Sequence, residues 1–349
     1  MEPILLPLIA LSLVFVAFQA FVVLFLAKRA VELKLGNLWF LVASGISFIV
    51  SALLGASSSP VQILSQPFGP LFVAMFTKRT FYDKARSNYA IVMPVAIVFT
   101  CLTFAARIFR LTGGDSDMLY LVNQLVLFGV FFPCYAWLAK ACFDANRRFS
   151  KEMSLGTWIQ KRYLLLGTSS LFTMFATIPS FFMGSMSGFY TPMGFVGILA
   201  IVANLLVFSI LNYLCWVMPT WFKMRLGESR VGTFRTGSTA SEQAAMPPTA
   251  DKVLTGRGTV AIIDYIGNML AARINKSPGA VKGLLLLMFQ GEQDESGARP
   301  LTFSDVVHAI DHHLSQRLEQ LGIKDAGAIT RQFSDDVTRN QSVLLMMSV

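Results

Sequence analysis

This 349-residue chain is poor in charge: 14% of its residues are Asp, Glu, Lys or Arg, against 54% hydrophobic, and its mean hydropathy is +0.58. Soluble domains carry roughly a quarter charged residues, so the balance excludes an ordinary soluble protein and indicates a polytopic membrane protein. Cysteine is scarce too. Cys101, Cys134, Cys142 and Cys215 all lie inside apolar runs, which argues against a disulfide framework. With no CxxC and no Cys/His cluster, no structural zinc site is expected. No Asp, Glu, His or Lys sits in the middle of an apolar run, and positions 193–218 hold no lysine. That disfavours proton- or ion-coupled pumps, which need an ionisable relay, and retinal pigments, which need a Schiff-base lysine; facilitated carriers and neutral-solute channels survive.

A window of about 19 residues picks out apolar stretches at 4–27, 38–55, 61–77, 89–109, 118–142, 162–184 and 193–218, which predicts seven spans. The first begins with Glu2 in place of a basic region and is too long for a signal peptide, so it reads as a retained span. The third is the weakest. Pro67, Gly69 and Pro70 interrupt it and Gln62, Ser65 and Gln66 make its start polar, which predicts a short, kinked or partly re-entrant segment. Pro94, Pro133 and Pro179 are expected to kink their own spans.

The basic residues predict an orientation. Alternate connections carry Lys28, Arg29 and Lys34; Lys78, Arg79, Lys84 and Arg86; Lys140, Arg147, Arg148, Lys151, Lys161 and Arg162; and Lys223, Arg225, Arg230 and Arg235. The opposite loops, 56–60, 107–117 and 185–192, offer only Arg107 and Arg110. The positive-inside rule then puts the N-terminus outside and the C-terminus in the cytoplasm. Trp39, Trp137, Trp158, Trp216 and Trp221 fall toward the same face, as an interfacial belt does, and Trp216, Trp221, Lys223 and Arg225 read as a membrane-surface anchor at the end of the last span. Residues 1–235 carry net +11 and residues 236–349 net −2, so the basic excess reports topology and gives the tail no bulk attraction to nucleic acid.

The fold class expected is all-α: a seven-transmembrane bundle over 1–227, a flexible Gly/Ser/Pro-rich linker over 228–257, and a small helical cytoplasmic domain over 258–349. In the tail, periodicity predicts helices at 259–275 and 278–291, a polar loop from Gly291 to Pro300, a helix capped by Thr302 or Ser304 and ending near Leu321, and a last helix over 325–345.

Several polar residues recur at helical spacing. Asn204, Phe208 and Asn212 are spaced i, i+4, i+8; Ser169, Thr173 and Thr177 mark the sixth span, and Asn123, Gln124 and Gln19 add to the fifth and first. They read either as interhelical packing and hydrogen bonding or as a ligand-binding seam, with packing the commoner use of such residues. The loops around Ser57–Gln62 and Arg107–Asp117 read as solvated, with an entrance for a small polar ligand as the alternative. His308 and His312 share a helical face at i, i+4 but have no identifiable third ligand, so a solvated face is favoured and no metal is expected.

The stretch from Leu270 to Leu284, with a turn near Asn275, resembles the helix-turn-helix pattern of winged-helix regulators. That resemblance implies base-edge reading by polar side chains of the second helix. The second helix instead continues as Leu285-Leu286-Leu287-Met288-Phe289, the pattern of a buried element. The leading expectation is a receptor-like sensor or signalling protein of the cell membrane, without enzymatic activity or cofactor. Its partners are the lipid bilayer, a protein bound through residues 258–349, and a second copy of itself. The alternatives are an accessory or structural subunit of a larger membrane assembly, a carrier for a neutral solute, and, last, a membrane-tethered helix-turn-helix regulator.

Overall fold

The computed structural model describes residues 5–32, 35–53, 65–82, 87–113, 116–152, 157–182, 192–219, 222, 257–296, 303–340 and 342–344. These residues are helical or connect helices, and none of them forms a strand. Chain contacts divide the protein into two compact units, Met1–Ala30 with Gly36–Phe222, and Val31–Leu35 with Lys223–Val349. Most of the expected linker, residues 228–256, lies outside the described residues.

The first unit contains α1 (Leu5–Glu32), α2 (Leu38–Leu53), α3 (Phe68–Phe81), α4 (Tyr89–Gly113), α5 (Asp117–Glu152), α6 (Thr157–Met174), a 3₁₀ turn (Ile178–Phe182) and α7 (Pro192–Trp216). Among the described residues, five segments are long and apolar enough to cross a membrane: Ala10–Glu32, Tyr89–Phe109, Asp117–Arg148, Ile159–Phe182 and Gly194–Trp216. α2 is apolar but has 16 residues, and α3 has 14. At 1.5 Å per residue these reach about 24 and 21 Å, short of the ~30 Å hydrocarbon core.

Local chemistry sets these bounds. Pro67 and Pro70 do not kink α3; they start it, because Pro67 precedes the first turn and Pro70 lies within it, where no intrahelical N–H bond is lost. Ser116 caps α5, its Oγ accepting from the Leu119 N–H at 3.3 Å. α6 stops before Pro179 and tightens into 3₁₀ geometry, with Ala176 N–H bonding Thr173 O and Ser180 N–H bonding Thr177 O. Hydroxyls inside the apolar helices are satisfied by back-bonding, as Thr77 to Val73 O, Thr100 to Ala96 O and Thr103 to Phe99 O. A lone hydroxyl therefore does not disqualify a helix from an apolar surrounding.

α5 is the central post: 61% of its apolar window is buried, against 22–28% for α1, α4 and α7. It packs on α3, α4 and α6, while α2 packs on α3 and α6 on α7. Phe48 of α2 contacts both Phe131 of α5 and Phe208 of α7, and Phe18 and Phe21 of α1 flank Tyr213 of α7.

The second unit contains α8 (Arg257–Ile274), α9 (Pro278–Ser296), α10 (Phe303–Ala309), a π turn (Ile310–Leu314), α11 (Ser315–Gln320) and α12 (Ala326–Arg339). α8 ends in a Schellman turn: Asn275 takes the left-handed conformation at φ 52° and the Lys276 N–H reaches Ala271 O. Ser277 then caps α9 and Pro278 fills its first position. The same device with Gly322, at φ 71°, closes α11 after Gln320. Two expectations are corrected. α9 runs on to Ser296, through the segment read as polar loop from Gly291, and the last helix ends at Arg339. Ile266, Leu270, Leu285, Phe289, Ile310, Leu314, Phe333 and Val337 form the core of this unit.

Arg273 of α8 is paired with Asp336 of α12, each about a third exposed. Exposed pairs contribute about 0–1 kcal/mol. Asp336→Asn is therefore expected to shift chemical unfolding of the tail by no more than ~1 kcal/mol; a larger loss would mean that the pair organises the interface between α8 and α12.

Candidate functional site

In the first unit, residues of six helices line a cavity of about 40 Å³. Gln19 of α1, Ser44 of α2, Tyr135 of α5, Ser169 of α6 and Asn212 and Trp216 of α7 line it, and α3 contributes Val73. All the polar members are buried, Gln19 at 3% exposure, Ser44 at 4% and Asn212 at 7%. Asn212 donates its amide to Phe208 O at 3.0 Å and Ser169 donates to Leu166 O at 2.9 Å, which leaves acceptor capacity on both. The Tyr135 hydroxyl, beside Ser44, is fully buried and makes no well-formed hydrogen bond among the described residues. The lining is neutral throughout. It can bind by hydrogen bonding, and it holds no carboxylate, histidine, lysine or arginine.

Helical spacing groups Asn123 and Gln124 with these residues, but the structure places them elsewhere. They belong to a second polar layer, built where the end of α4 meets the start of α5. Arg107 donates to Asn123 Oδ1 at 3.1 Å and to Gln66 Oε1 at 2.5 Å. Ser180 donates to Gln124 Oε1 at 2.8 Å, and Tyr120 donates to the Ser180 carbonyl at 3.0 Å. Arg107 was expected in an outer loop over 107–117. It lies instead in α4, which runs to Gly113, and its side chain turns into the bundle. Its position inside the apolar run 89–109 is the signal available in the sequence.

The remaining polar residues of the apolar helices have varied surroundings. Thr173 back-bonds to Ser169 O. Among the described residues, the buried Thr177 Oγ1 and Asn204 Oδ1 have no hydrogen-bond partner. Ser47 bonds the Ser65 carbonyl and Ser51 bonds the Ser65 hydroxyl, tying α2 to the polar approach to α3. The loop residues Ser57–Gln62 lie outside the described residues.

The expected anchor separates. Trp216 is 1% exposed, set edge-on to Phe76 at 6.2 Å, and lines the cavity. Trp221, Lys223 and Arg225 lie outside the described residues. Trp137 is also buried and stacks on Tyr82 at 5.5 Å; burial raises the Tyr82 phenol pKa, against the charge of Lys140, which lowers it. Arg162, read as part of a basic loop, sits inside α6 at 2% exposure, and its carbonyl accepts the Cys215 thiol at 3.5 Å. These large side chains fill gaps between helices, a demand that spacing along a single helix does not reveal.

In the second unit, His308 and His312 are exposed, with ring centroids 4.2 Å apart. Among the described residues, no three His, Cys, Asp or Glu side chains cluster as metal ligands do. In α9, Val281, Leu285, Met288 and Phe289 are buried and Lys282 is paired with Asp264, so much of the helix that base reading would need is committed to the core. Comparison with protein-family models, with curated proteins and with solved structures finds no match for this chain.

Proposed function

We propose that the protein is a seven-span, receptor-like membrane sensor whose bundle is coupled through α7 to the helical module of residues 258–349. The N-terminus lies outside and the tail in the cytoplasm. The observation that carries this reading is the position of the neutral polar cavity. It sits where α1, α2, α5 and α6 meet the last two turns of α7, just before the chain leaves the membrane unit. A small change of packing there acts on the one helix continuous with the tail.

The helices α2 and α3 complete the seven spans despite their length. α3 packs against α2, α4 and α5, and non-helical backbone at membrane depth is tolerated where protein covers it. Ser47, Ser51 and Arg107 supply polar partners around Ser65 and Gln66. A cavity of about 40 Å³ gives little support to a carrier.

The test is hydrogen exchange on the full-length protein in nanodiscs. Asn212→Leu is expected to change amide exchange in residues 258–349 without unfolding the bundle. Unchanged exchange, together with a fixed-stoichiometry partner lost on truncation at Gly232, would replace the sensor with the assembly-subunit reading.

A further inference from the structure

We propose that the cavity between α1, α2, α5, α6 and α7 is a hydration site, holding one or two waters that tie the Tyr135 hydroxyl to Gln19, Ser169 and Asn212. The proposal stands independently of the sensor reading, because it needs only the cavity and its lining.

Size comes first. A water needs roughly 10–15 Å³ of accessible space, and about 40 Å³ is present. At the ~30 Å³ that each water occupies in the liquid, one or two waters fit. Chemistry then separates water from an empty void. Apolar cavities of this size stay dry, whereas a water that finds two to four polar partners is retained. The Tyr135 hydroxyl, beside Ser44, is a buried donor without a well-formed bond among the described residues, and leaving it unbonded is unfavourable. The Gln19 amide, 3% exposed, lines the cavity and can both donate and accept. Asn212 spends one N–H on Phe208 O and keeps its carbonyl; Ser169 spends its proton on Leu166 O and keeps its lone pairs.

The lining therefore offers donors and acceptors together and no formal charge. That pattern matches water, which does both, and offers an ion no counter-charge. Phe48, Leu138 and Trp216 add bulky apolar surface to the lining. The waters are the adjustable part of the contact between α7 and its neighbours: they can re-orient when α7 shifts, while direct side-chain bonds would have to break.

The test is radiolytic hydroxyl labelling of the full-length protein in nanodiscs, in H₂¹⁸O, read by mass spectrometry. Tyr135, 2% exposed, is expected to incorporate ¹⁸O several-fold faster than Tyr163, which is fully buried and does not line the cavity. Equal rates overturn the proposal. Tyr135→Phe gives an independent sign: a hydrated hydroxyl contributes stability, so the variant lowers Tm, whereas an unchanged or higher Tm shows a dry, unsatisfied hydroxyl and overturns it. Gln19→Leu keeps the phenol and removes a water partner, so it should slow labelling at Tyr135; labelling at the native rate would count equally against the site.

Discussion

Trp216→Ala is expected to destabilise the bundle by about 3–5 kcal/mol, the range for deleting a buried large aromatic. The indole is 1% exposed, lines the cavity and meets Phe76 edge-on. Phe76 in turn meets Phe81, and Phe81 meets Tyr163, so one run of rings joins α7 to α3 and α6. Removing the indole merges its volume with the existing cavity and takes contacts from both walls. In a membrane this loss is not softened by hydrophobicity, because helix association there depends on close packing. Trp216→Phe keeps part of the ring contact and should cost clearly less. Denaturant or thermal unfolding in detergent measures both. A loss below about 1 kcal/mol for the alanine variant would place the indole at the bilayer surface, where side-chain changes are cheap.

The same residue shows what could be read from the chain and what could not. Apolar run length was enough to place helices over most of 4–218, because backbone polar groups in such a setting must be satisfied within a helix. The weakness of the third run was legible too: its prolines and polar start correspond to a helix of only 14 residues. Tryptophan near a span end is ambiguous, however. Interfacial belts and interhelical fillers both use it, and only the neighbouring helices decide. Trp216 and Trp137 are fillers, and Trp39 is 47% exposed.

The polar seam divides for a similar reason. Spacing of i, i+4, i+8 puts residues on one face of one helix, but it does not say which face of another helix they meet. Gln19, Ser169 and Asn212 come together at the cavity, while Asn123 and Gln124 face Arg107 and Ser180 in the other layer. Tyr135 gives no such signal, because a tyrosine within an aromatic-rich run, Phe131-Phe132-Pro133-Cys134-Tyr135, looks like ordinary core. In the tail, the turn at Asn275 was visible from its residue types. The length of α9 was not, since Gly291 suggests a stop where the helix continues to Ser296.

Gly129→Ala is the second large effect expected, about 1–3 kcal/mol of overpacking from a single methyl group. A Cβ at Gly129 of α5 would lie 2.3 Å from Phe99 Cδ1 and 2.4 Å from Cε1 of α4, so the ring or the helix must move. Phe99 has only two torsions to turn the ring away, so part of the strain passes into the spacing of α4 and α5. That spacing also holds Arg107 of α4 against Asn123 of α5. A displaced α4 lengthens this hydrogen bond, so the substitution should act on the polar layer as well as on the packing. Two double-mutant cycles separate these effects. Phe99→Leu introduced with Gly129→Ala should recover much of the lost stability, because the clashing ring atoms are gone. Arg107→Met introduced with Gly129→Ala should cost less than the two single losses together, because the first change has already weakened what the second removes. Strict additivity in both cycles would show that α4 tolerates the methyl group without moving, and that the contact between α4 and α5 does not control the Arg107 layer.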